Sequence, residues 1–359
     1  MKQRYAVALV LAAVTAFLLL TRHHLRDLVE VATTYATFHS LVQRHAGILY
    51  RYPPTDSGES GIHNAPDQVP KVIHQIFLQD GRDSMLQTYG AAIESCRDLQ
   101  LDWEHKLWTD DNATDFIREH YPVIAPHYES YAQTIQRANV LRYALLDHFG
   151  GIYLDQDITC LAPLDDLLHL PWLTPGAYPA GVNNAFILSR PHHPFLQELL
   201  GEVPSHDLKW AMPYVENMLS TGCMYFTNRW MAYVRGLARR CCNAIPDEER
   251  VYILADHHGG IKSHMLRGRV TTPLLAHGGA SSWHGWDAAV IVLIGKYYRC
   301  FSMLMGVGML FSMAGIWRFM RRSRKNRNDG VGSQSRLLRG RGSTEKSDDE
   351  EKLLVGKIG

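Results

Sequence analysis

The stretch that decides the fold is Gly150-Gly151-Ile152-Tyr153-Leu154-Asp155-Gln156-Asp157. Two glycines interrupt the chain, three apolar residues then predict a short buried strand, and two acids follow directly. Side chains at positions i and i+2 of an extended chain share one face. Asp155 and Asp157 are therefore expected side by side just past the carboxyl end of a strand. Such a pair suits a hard divalent cation.

The residues on the amino-terminal side of this stretch predict alternating strands and helices. Lys71–Phe77 and Trp103–Trp108 have the composition of strands, and Ala113–His120 follows a group of helix-start residues. Thr134–Phe149 carries apolar residues at helical spacing, and Gly150 would end that helix. Alternation of this kind predicts an α/β sandwich.

Composition limits the classes of function. The chain has 359 residues and a formal net charge of +1, so no global charge indicates a nucleic-acid partner. None of the six cysteines forms a C-x-x-C pair, which argues against a thiolate zinc site. Disulfides are compatible with an oxidising compartment, but the spacing fixes no pairing.

Two apolar runs predict membrane segments. Tyr5–Leu20 follows Lys2 and Arg4 and lacks a small-residue cleavage site, so we interpret it as a retained signal anchor. A cleaved signal peptide is the alternative. Phe301–Trp317 contains no charge and is followed by Arg318 and a basic cluster, which favours a membrane span over a buried core helix.

The excess of basic residues after the second run places the C-terminus in the cytosol, and two spans return the N-terminus there too. The part between them is then expected in the lumen of the Golgi or ER, with the chain in the membrane. The predicted organisation is an anchor over 1–21, a stem and linker over 22–68, a lumenal catalytic domain over 69–287, a juxtamembrane and transmembrane segment over 288–320, and a disordered cytosolic tail over 321–359.

A D-x-D pair alone is a weak signal, because many such pairs are turns or solvated edges. Its context strengthens it, since two acids after a buried strand are costly without a compensating cation or ligand. In the preceding helix, Asn139 and Arg142 are three residues apart and share a face. The planar guanidinium of Arg142 could bind a phosphate, with a solvated charged face as the alternative.

These motifs resemble the sugar-binding D-x-D region of family 32 glycosyltransferases. The resemblance begins at Pro70–Gln75 and is most specific over Ile135–Tyr143 and Gly150–Asp157. Ser220–Gly222 and Ser281–Asp287 are similar to later blocks of the family. Within the family, the chain most resembles the fungal mannosyl inositol phosphorylceramide synthases, the sphingolipid-modifying members that carry an extra C-terminal segment.

The resemblance implies a GT-A fold, in which a nucleotide-binding α/β sheet carries a metal-assisted site. It also implies Mn²⁺ as the cofactor, with Mg²⁺ as the alternative. By the same resemblance, Asp155 and Asp157 are catalytic and bind the metal, and His284 is a further metal ligand. The implied donor-binding residues are His74, Gln75, Asn139, Arg142 and Asp155.

Two positions depart from the family pattern. Asn139 stands where relatives usually have aspartate, and Ala185 stands where an acid often follows two asparagines. Asparagine keeps hydrogen bonding but lacks the charge, and alanine offers no catalytic base. The resemblance still implies a retaining transferase, a class that need not use a strong protein base.

The expected reaction is transfer of mannose from GDP-mannose to inositol phosphoceramide, with the membrane and a regulatory membrane subunit as further partners. Two alternatives remain open at this stage. One is an α-1,6-mannosyl- or other hexosyltransferase that acts on glycoprotein glycans. The other is a non-catalytic lumenal sugar-binding protein or partner subunit.

Overall fold

The computed structural model describes residues 2–52, 66–78, 82–177, 180–240, 246–256, 258, 260–261, 270–278, 285–297, 300 and 303–318. The chain divides into two units, Met1–Ala289 and Val290–Gly359. The first unit contains the sheets and the predicted site. The predicted tail over 321–359 and the predicted ligand His284 lie outside the described residues.

The described strands form two sheets in the first unit. They are β1 (Leu49–Arg51), β2 (Val72–Ile76), β3 (Glu104–Trp108), β4 (Gly151–Leu154), β5 (Ile158–Cys160), β6 (Trp172–Pro175), β7 (Phe186–Ser189), β8 (Tyr252–Ala255), β9 (Val270–Thr271) and β10 (Leu275–His277). Seven of them make a mixed sheet in the order β1-β8-β6-β7-β4-β2-β3, and β5, β10 and β9 make a small antiparallel sheet.

Parallel pairing dominates the large sheet. The pairs β1–β8, β6–β8, β2–β4 and β2–β3 are parallel, whereas β7 runs antiparallel to both β4 and β6. The predicted α/β class is therefore confirmed, and the structure adds that the sheet is mixed and largely parallel. The carboxyl ends of β2, β3 and β4 meet at one edge, which is where ligands bind in open α/β sheets.

Helices and the small sheet cover this large sheet. The helices are α1 (Lys2–Arg44), α2 (Arg82–Leu99), α3 (Asp110–His120), α4 (Ala125–Ser130), α5 (Thr134–Phe149), α6 (Pro194–Gly201), α7 (Val203–His206), α8 (Pro213–Ser220), α9 (Cys223–Arg240) and α10 (Trp286–Lys296). Tyr153 of β4 packs into one hydrophobic core, and its neighbours Ile152 and Leu154 pack into the other. The strand therefore alternates between two cores, as a sandwiched strand must.

The glycine pair before β4 is required by the backbone. Gly150 has φ +66° and Gly151 has φ +96°, a region that side chains with a Cβ rarely adopt. A Cβ on Gly151 would lie 2.5 Å from the carbonyl oxygen of Val72, and one on Gly150 would lie 2.6 Å from Cδ of Pro191. These two glycines let α5 end and β4 begin in close contact with β2.

The predicted stem differs from the structure because its residues contribute to the globular unit. The buried positions of α1 begin at Asp27 and continue with Thr34, Phe38 and Leu41, at spacings that place them on one helix face. This face packs against α9, and β1 then joins the edge of the large sheet beside β8. The hydroxyl of Thr34 donates a buried 2.7 Å hydrogen bond to Oδ1 of Asn228.

The first predicted apolar run forms the beginning of α1, and the described part of the second is helical over 303–318. None of the helices in the described ranges is both long enough and apolar enough to cross a membrane. The apolar run from Ala288 to Ile294 belongs to α10.

A disulfide joins Cys96 of α2 to Cys160 of β5. Its two ends are 64 residues apart in sequence. Because β5 begins directly after Asp157, this bond fixes the segment that follows the D-x-D pair to the helical layer.

Candidate active site

Strand register places the two acids at the carboxyl edge of the parallel strands. Ile73 and His74 of β2 pair with Ile152 and Tyr153 of β4, so the chain leaves β4 level with the end of β2. Between the acids, Nε2 of Gln156 donates a 2.6 Å hydrogen bond to the carbonyl oxygen of Ile76. This bond holds the D-x-D turn against the neighbouring strand.

His277 completes a group of candidate metal ligands. Its strand β10 pairs antiparallel with β5, and His277 lies opposite Ile158, the residue after Asp157. Its Nε2 is 3.3 Å from Oδ1 of Asp157. One ligand atom each from Asp155, Asp157 and His277 lie within 4.8 Å of one another. Two carboxylates and an imidazole are a donor set that fits a divalent cation.

Arg142 fixes the orientation of Asp155. Its Nη1 lies 3.1 Å from Oδ1 of Asp155 and donates a 2.7 Å hydrogen bond to the carbonyl oxygen of Asn184. The Tyr153 hydroxyl donates to the same carboxylate oxygen at 2.6 Å, and the guanidinium carbon sits 4.4 Å from the Tyr153 ring centroid. The guanidinium is almost completely buried, so it acts on the carboxylate from inside the protein.

Two like charges lie close together at the site. Burial raises the pKa of Asp155; Arg142 opposes that rise and Asp157 adds to it. Burial by itself would lower the pKa of His277, but its contact with Asp157 raises that pKa above the ordinary value. A cation would relieve the repulsion between the two carboxylates, because an opposite charge favours their ionised form.

A buried polar network lies beside Arg142. Asn139 Nδ2 donates to Oδ1 of Asn217 at 2.9 Å and to the Thr221 hydroxyl at 3.3 Å. Asn184 Nδ2 donates to Oδ1 of Asn139 at 3.2 Å and to the Tyr143 hydroxyl at 2.8 Å. The Tyr143 hydroxyl in turn donates to the carbonyl oxygen of Thr221 at 2.8 Å. The amide at position 139 therefore donates and accepts at once, which a carboxylate cannot do.

Cys223 belongs to the same network. Its sulfur lies 2.9 Å from Oδ1 of Asn184, and burial raises the pKa of the thiol to about 11. The group is therefore a neutral thiol near neutral pH, which argues against a nucleophilic role. Nearby, Ala185 is buried and its amide donates to Oδ1 of Asn183. This bond between a backbone amide and a side-chain oxygen shapes the loop that carries the carbonyl bound by Arg142.

His74 and Gln75, the two residues predicted to lie near the nucleotide, have different hydrogen-bonding environments in the structure. His74 is fully buried, with Nε2 3.0 Å from the Gly150 carbonyl oxygen and Nδ1 accepting from the Trp108 indole at 3.2 Å. Burial lowers its pKa to about 4, so it is neutral and supports the β2–β4 junction. Gln75 is also buried, but its Nε2 has no hydrogen-bond partner among the residues that the structure describes. An unsatisfied amide at this edge fits a ligand acceptor.

A second group of possible ligands lies at the contact of α1 with the domain. It consists of Asp27, Glu30 and His206. Arg26 donates to Oδ1 of Asp27 at 2.9 Å, and Arg229 donates to Oε2 of Glu30 at 2.5 Å. Because the two guanidinium groups already neutralise the two carboxylates, we interpret this group as an ion-pair network rather than a metal site.

Arg137, the second arginine of α5, pairs with Asp110 at 2.9 Å on the surface.

The sequence analysis did not identify His277 as a candidate ligand. The sequence feature that could have indicated it is its position at the end of a short apolar run, directly before Gly278. The backbone amide of Gly278 donates to the Asp157 carbonyl oxygen at 2.9 Å. Only the β5–β10 register brings that run to the acids, and the sequence does not state this register.

Comparison with known proteins identifies the class of this site. Residues 88–171 match the glycosyltransferase sugar-binding region containing the DXD motif. The matched segment includes α5, β4 and both acids. The chain therefore carries the sugar-binding region of DXD glycosyltransferases, a class that generally uses a divalent metal, as the sequence predicted.

Similar curated proteins define the resemblance further. The chain is 32% identical to inositol phosphoceramide mannosyltransferase 2 of Schizosaccharomyces pombe, over 64% of this chain and 62% of that protein. It is 32% identical to inositol phosphoceramide mannosyltransferase 3 of the same organism, over 67% and 63%. It is 36% identical to mannosyl phosphorylinositol ceramide synthase SUR1 of Saccharomyces cerevisiae, over 47% and 44%. The matches cover less than two thirds of each of these relatives, and the predicted resemblance is confirmed.

A solved structure is also similar, although distantly. The PaToxG glycosyltransferase is 14% identical, with a TM-score of 0.37 over 60% of this chain and 83% of that one. A likeness at this level carries no structural argument.

Proposed function

We propose that the chain transfers mannose from GDP-mannose to inositol phosphoceramide, with retention at the sugar carbon and with Mn²⁺ as the cofactor. The observation that carries this proposal is the convergence of Asp155, Asp157 and His277 at the carboxyl edge of the parallel strands. The names of the three mannosyltransferase relatives support the choice of sugar and acceptor. Mg²⁺ remains the alternative ion.

Asp155, Asp157 and His277 would hold a divalent cation, which would supply positive charge to stabilise the leaving nucleoside diphosphate. Arg142 and Tyr153 keep the Asp155 carboxylate in one orientation through the contacts at 3.1 Å and 2.6 Å. Such preorganised contacts lower the reorganisation that the reaction needs. Gln75 offers an unsatisfied amide donor at the same edge, where the nucleotide would lie.

The network around Asn139 would shape the sugar subsite. Its members fix one another, so Asn184 and Thr221 present defined polar groups beside Arg142. A donor sugar is recognised through hydroxyl groups, and a site built from paired polar groups discriminates strongly among them. The network therefore supports a single preferred hexose.

Two other functions remain in competition with this proposal. A hexosyltransferase acting on glycoprotein glycans would use the same donor site with a different acceptor. A non-catalytic sugar-binding subunit would keep the fold without turnover. The intact ligand group Asp155, Asp157 and His277 favours catalysis over the second alternative.

We also propose attachment to a Golgi or ER membrane through the two apolar runs, with the site in the lumen and both termini cytosolic. The Cys96–Cys160 disulfide supports an oxidising compartment. Asn112 is exposed at the start of α3 within an Asn-Ala-Thr sequon, so it should carry a glycan in the lumen. Glycosidase treatment should increase gel mobility, and a C-terminal tag protected from protease in sealed vesicles would contradict this topology.

The decisive experiment assays the purified full-length chain with GDP-mannose and other nucleotide sugars. Inositol phosphoceramide in vesicles and a glycoprotein glycan serve as the two acceptors, with Mn²⁺, Mg²⁺ or a chelator. Mannosylation of the lipid that the chelator abolishes is the expected result. Transfer only to the glycan would favour the first alternative, and ion binding without transfer to either acceptor would favour the second. A requirement for a regulatory membrane subunit would appear as activity restored by membrane extract.

A further inference from the structure

The apolar start of α1 extends beyond the packed part of the first unit, and the side chains of α1 change from exposed to buried over a few residues. Phe17, Leu19 and Leu20 are 63%, 62% and 81% exposed, whereas Asp27, less than two turns further on, is 2% exposed. Among the described side chains, the helix therefore changes from exposed over residues 15–20 to packed on one face from residue 27 onward. An exposed apolar helix of this kind requires a lipid or protein environment.

At this level, α1 contacts the loop between α7 and α8. His24 Nε2 lies 3.0 Å from the Lys209 carbonyl oxygen, and its ring makes an edge contact with Trp210 at a centroid distance of 4.7 Å. Nη2 of Arg26 donates a 3.0 Å hydrogen bond to the Ser205 carbonyl oxygen. The loop is thus fixed beside the point where the apolar run ends.

The first turn of α8, directly after this loop, contacts the first turn of α10. Oδ2 of Asp287 accepts a 2.5 Å hydrogen bond from the backbone amide of Tyr214, in the first turn of α8. Asp287 is 3% exposed, but the adjacent Trp286 is 72% exposed. The first part of α1 and the start of α10 therefore contact opposite ends of the short segment that leads from α7 into α8.

We propose that the surface formed by residues 208–213 with His24 and Trp286, called here the interfacial surface, lies at the surface of a lipid bilayer. Tryptophan side chains favour the membrane–water interface because they combine an apolar ring with a polar N–H group. Lys209 is 62% exposed and suits the head-group region. The apolar run that continues directly from this surface along α1 selects a bilayer as the partner.

This arrangement links the bilayer to the donor site through α8. The helix begins at the interfacial surface, and its far end carries Asn217 and Ser220, which bond to Asn139 and Gln136 at 2.9 Å and 2.8 Å. It has 8 residues, a length of about 12 Å. A lipid head group at the surface would lie roughly that far from the polar network. The inference rests on the proposed lipid acceptor and deepens it, because the acceptor need not leave the bilayer.

Quenching by brominated lipids tests the placement. The full-length chain is bound to vesicles of brominated phosphatidylcholine, with Trp317→Phe in every sample so that the C-terminal helix does not contribute. Trp210→Phe and Trp286→Phe should each remove part of the quenched fluorescence. Trp103→Phe is the matched control and should leave the quenched part unchanged, because Trp103 is buried at the start of β3.

An activity ratio provides the second readout. Trp286→Glu should lower transfer to vesicle-borne acceptor by about tenfold relative to detergent-dissolved acceptor, the change expected when one buried aromatic ring is replaced by a charge. GDP binding should not change. If the chain floats with vesicles while Trp210→Phe and Trp286→Phe leave the quenching intact, the interfacial surface is wrong although membrane attachment stands.

The other outcomes are also distinct. A chain that does not float with vesicles overturns both membrane attachment and this inference, while soluble-acceptor activity would still test the proposed transferase. If a co-purified membrane protein shields both tryptophans from bromine, the surface is a protein interface, and the lipid assignment is overturned.

Discussion

Nε2 of His277 lies 3.3 Å from Oδ1 of Asp157, although the two residues are far apart in the sequence. The contact exists because β10 pairs with β5, which begins at the next residue, Ile158. It places an imidazole beside the two acids, so that the three side chains form a candidate metal-binding group. The imidazole adds a nitrogen donor to the two carboxylates. Its removal should therefore lower the affinity for the metal ion.

His277→Ala should weaken Mn²⁺ binding by at least about 10–100-fold, since even outer contacts of metal ligands contribute that much. Calorimetric titration of the full-length chain with Mn²⁺ measures the change. His120→Ala, which removes an imidazole from the partly exposed end of α3, is the control and should bind normally. Unchanged affinity in His277→Ala would remove this residue from the site.

The affinity for Mn²⁺ should also depend on pH. The pKa of His277 is raised by Asp157 in spite of burial, so the proton competes with a cation for the same nitrogen. Binding should strengthen as pH rises through that pKa, with release of a proton. The measurement is the dissociation constant across neutral pH, and in His277→Ala this part of the pH dependence should disappear.

Asp157→Asn should abolish transfer and leave the fold intact, because it removes a charged ligand at constant size. A loss of about 10²-fold or more is expected, as for other essential electrostatic groups. The readouts are the turnover number and the thermal unfolding midpoint. Asp102→Asn, which alters an exposed acid paired with Lys71 at 2.6 Å, is the matched control. Near-normal turnover in Asp157→Asn would refute the metal assignment.

The elements that local sequence determines were predicted well. The helix over Thr134–Phe149 has the same bounds in the structure, because its apolar spacing and its terminal glycine are local signals. The strand before Asp155 is confirmed for the same reason. The inclusion of α1 in the fold was missed, since its packed face contains polar residues such as Thr34. That hydroxyl is satisfied only by Asn228, far along the chain.

The candidate metal-binding group could likewise be predicted only in part from the sequence. The acids were recognisable because two carboxylates after a buried strand need compensation. The third described ligand depends on which strand pairs with β5, and loop closure over more than a hundred residues leaves no local trace. The ion pair of Asp155 with Arg142 combines both cases: the sequence indicated a functional arginine, but its position inside the protein, stacked on Tyr153, comes from packing.

Glu30 should make the docking of α1 sensitive to acid. Burial would raise its pKa, but His206 and Arg229 outweigh burial and lower that pKa to about 2. A carboxylate with a lowered folded-state pKa stabilises the fold above its unfolded value, and this contribution is lost as pH falls toward about 2. We expect a loss of about 2 kcal/mol between pH 4.5 and 2, allowing for solvent screening.

The test compares thermal unfolding of the full-length chain and Glu30→Gln from pH 6 to pH 2. The variant should be less stable at pH 6, and the difference should shrink steadily as pH falls toward 2, because the carboxylate then becomes protonated in the folded state as well as in the unfolded state. A constant difference over this range would show that Glu30 acts through packing rather than charge.

The Cys96–Cys160 disulfide should stabilise both the fold and the site. In the chain-entropy view, the bond restricts the unfolded chain across 64 residues, and removal of a native disulfide typically costs about 2–5 kcal/mol. The double variant Cys96→Ser, Cys160→Ser should therefore unfold several degrees lower. Because Cys160 ends the strand that follows Asp157, Mn²⁺ affinity should fall as well, through a less fixed ligand group. Cys300→Ser, which changes an exposed free cysteine, is the control and should alter neither quantity. If the double variant loses stability but binds Mn²⁺ as tightly as the original chain, the bond supports the fold without positioning the ligands.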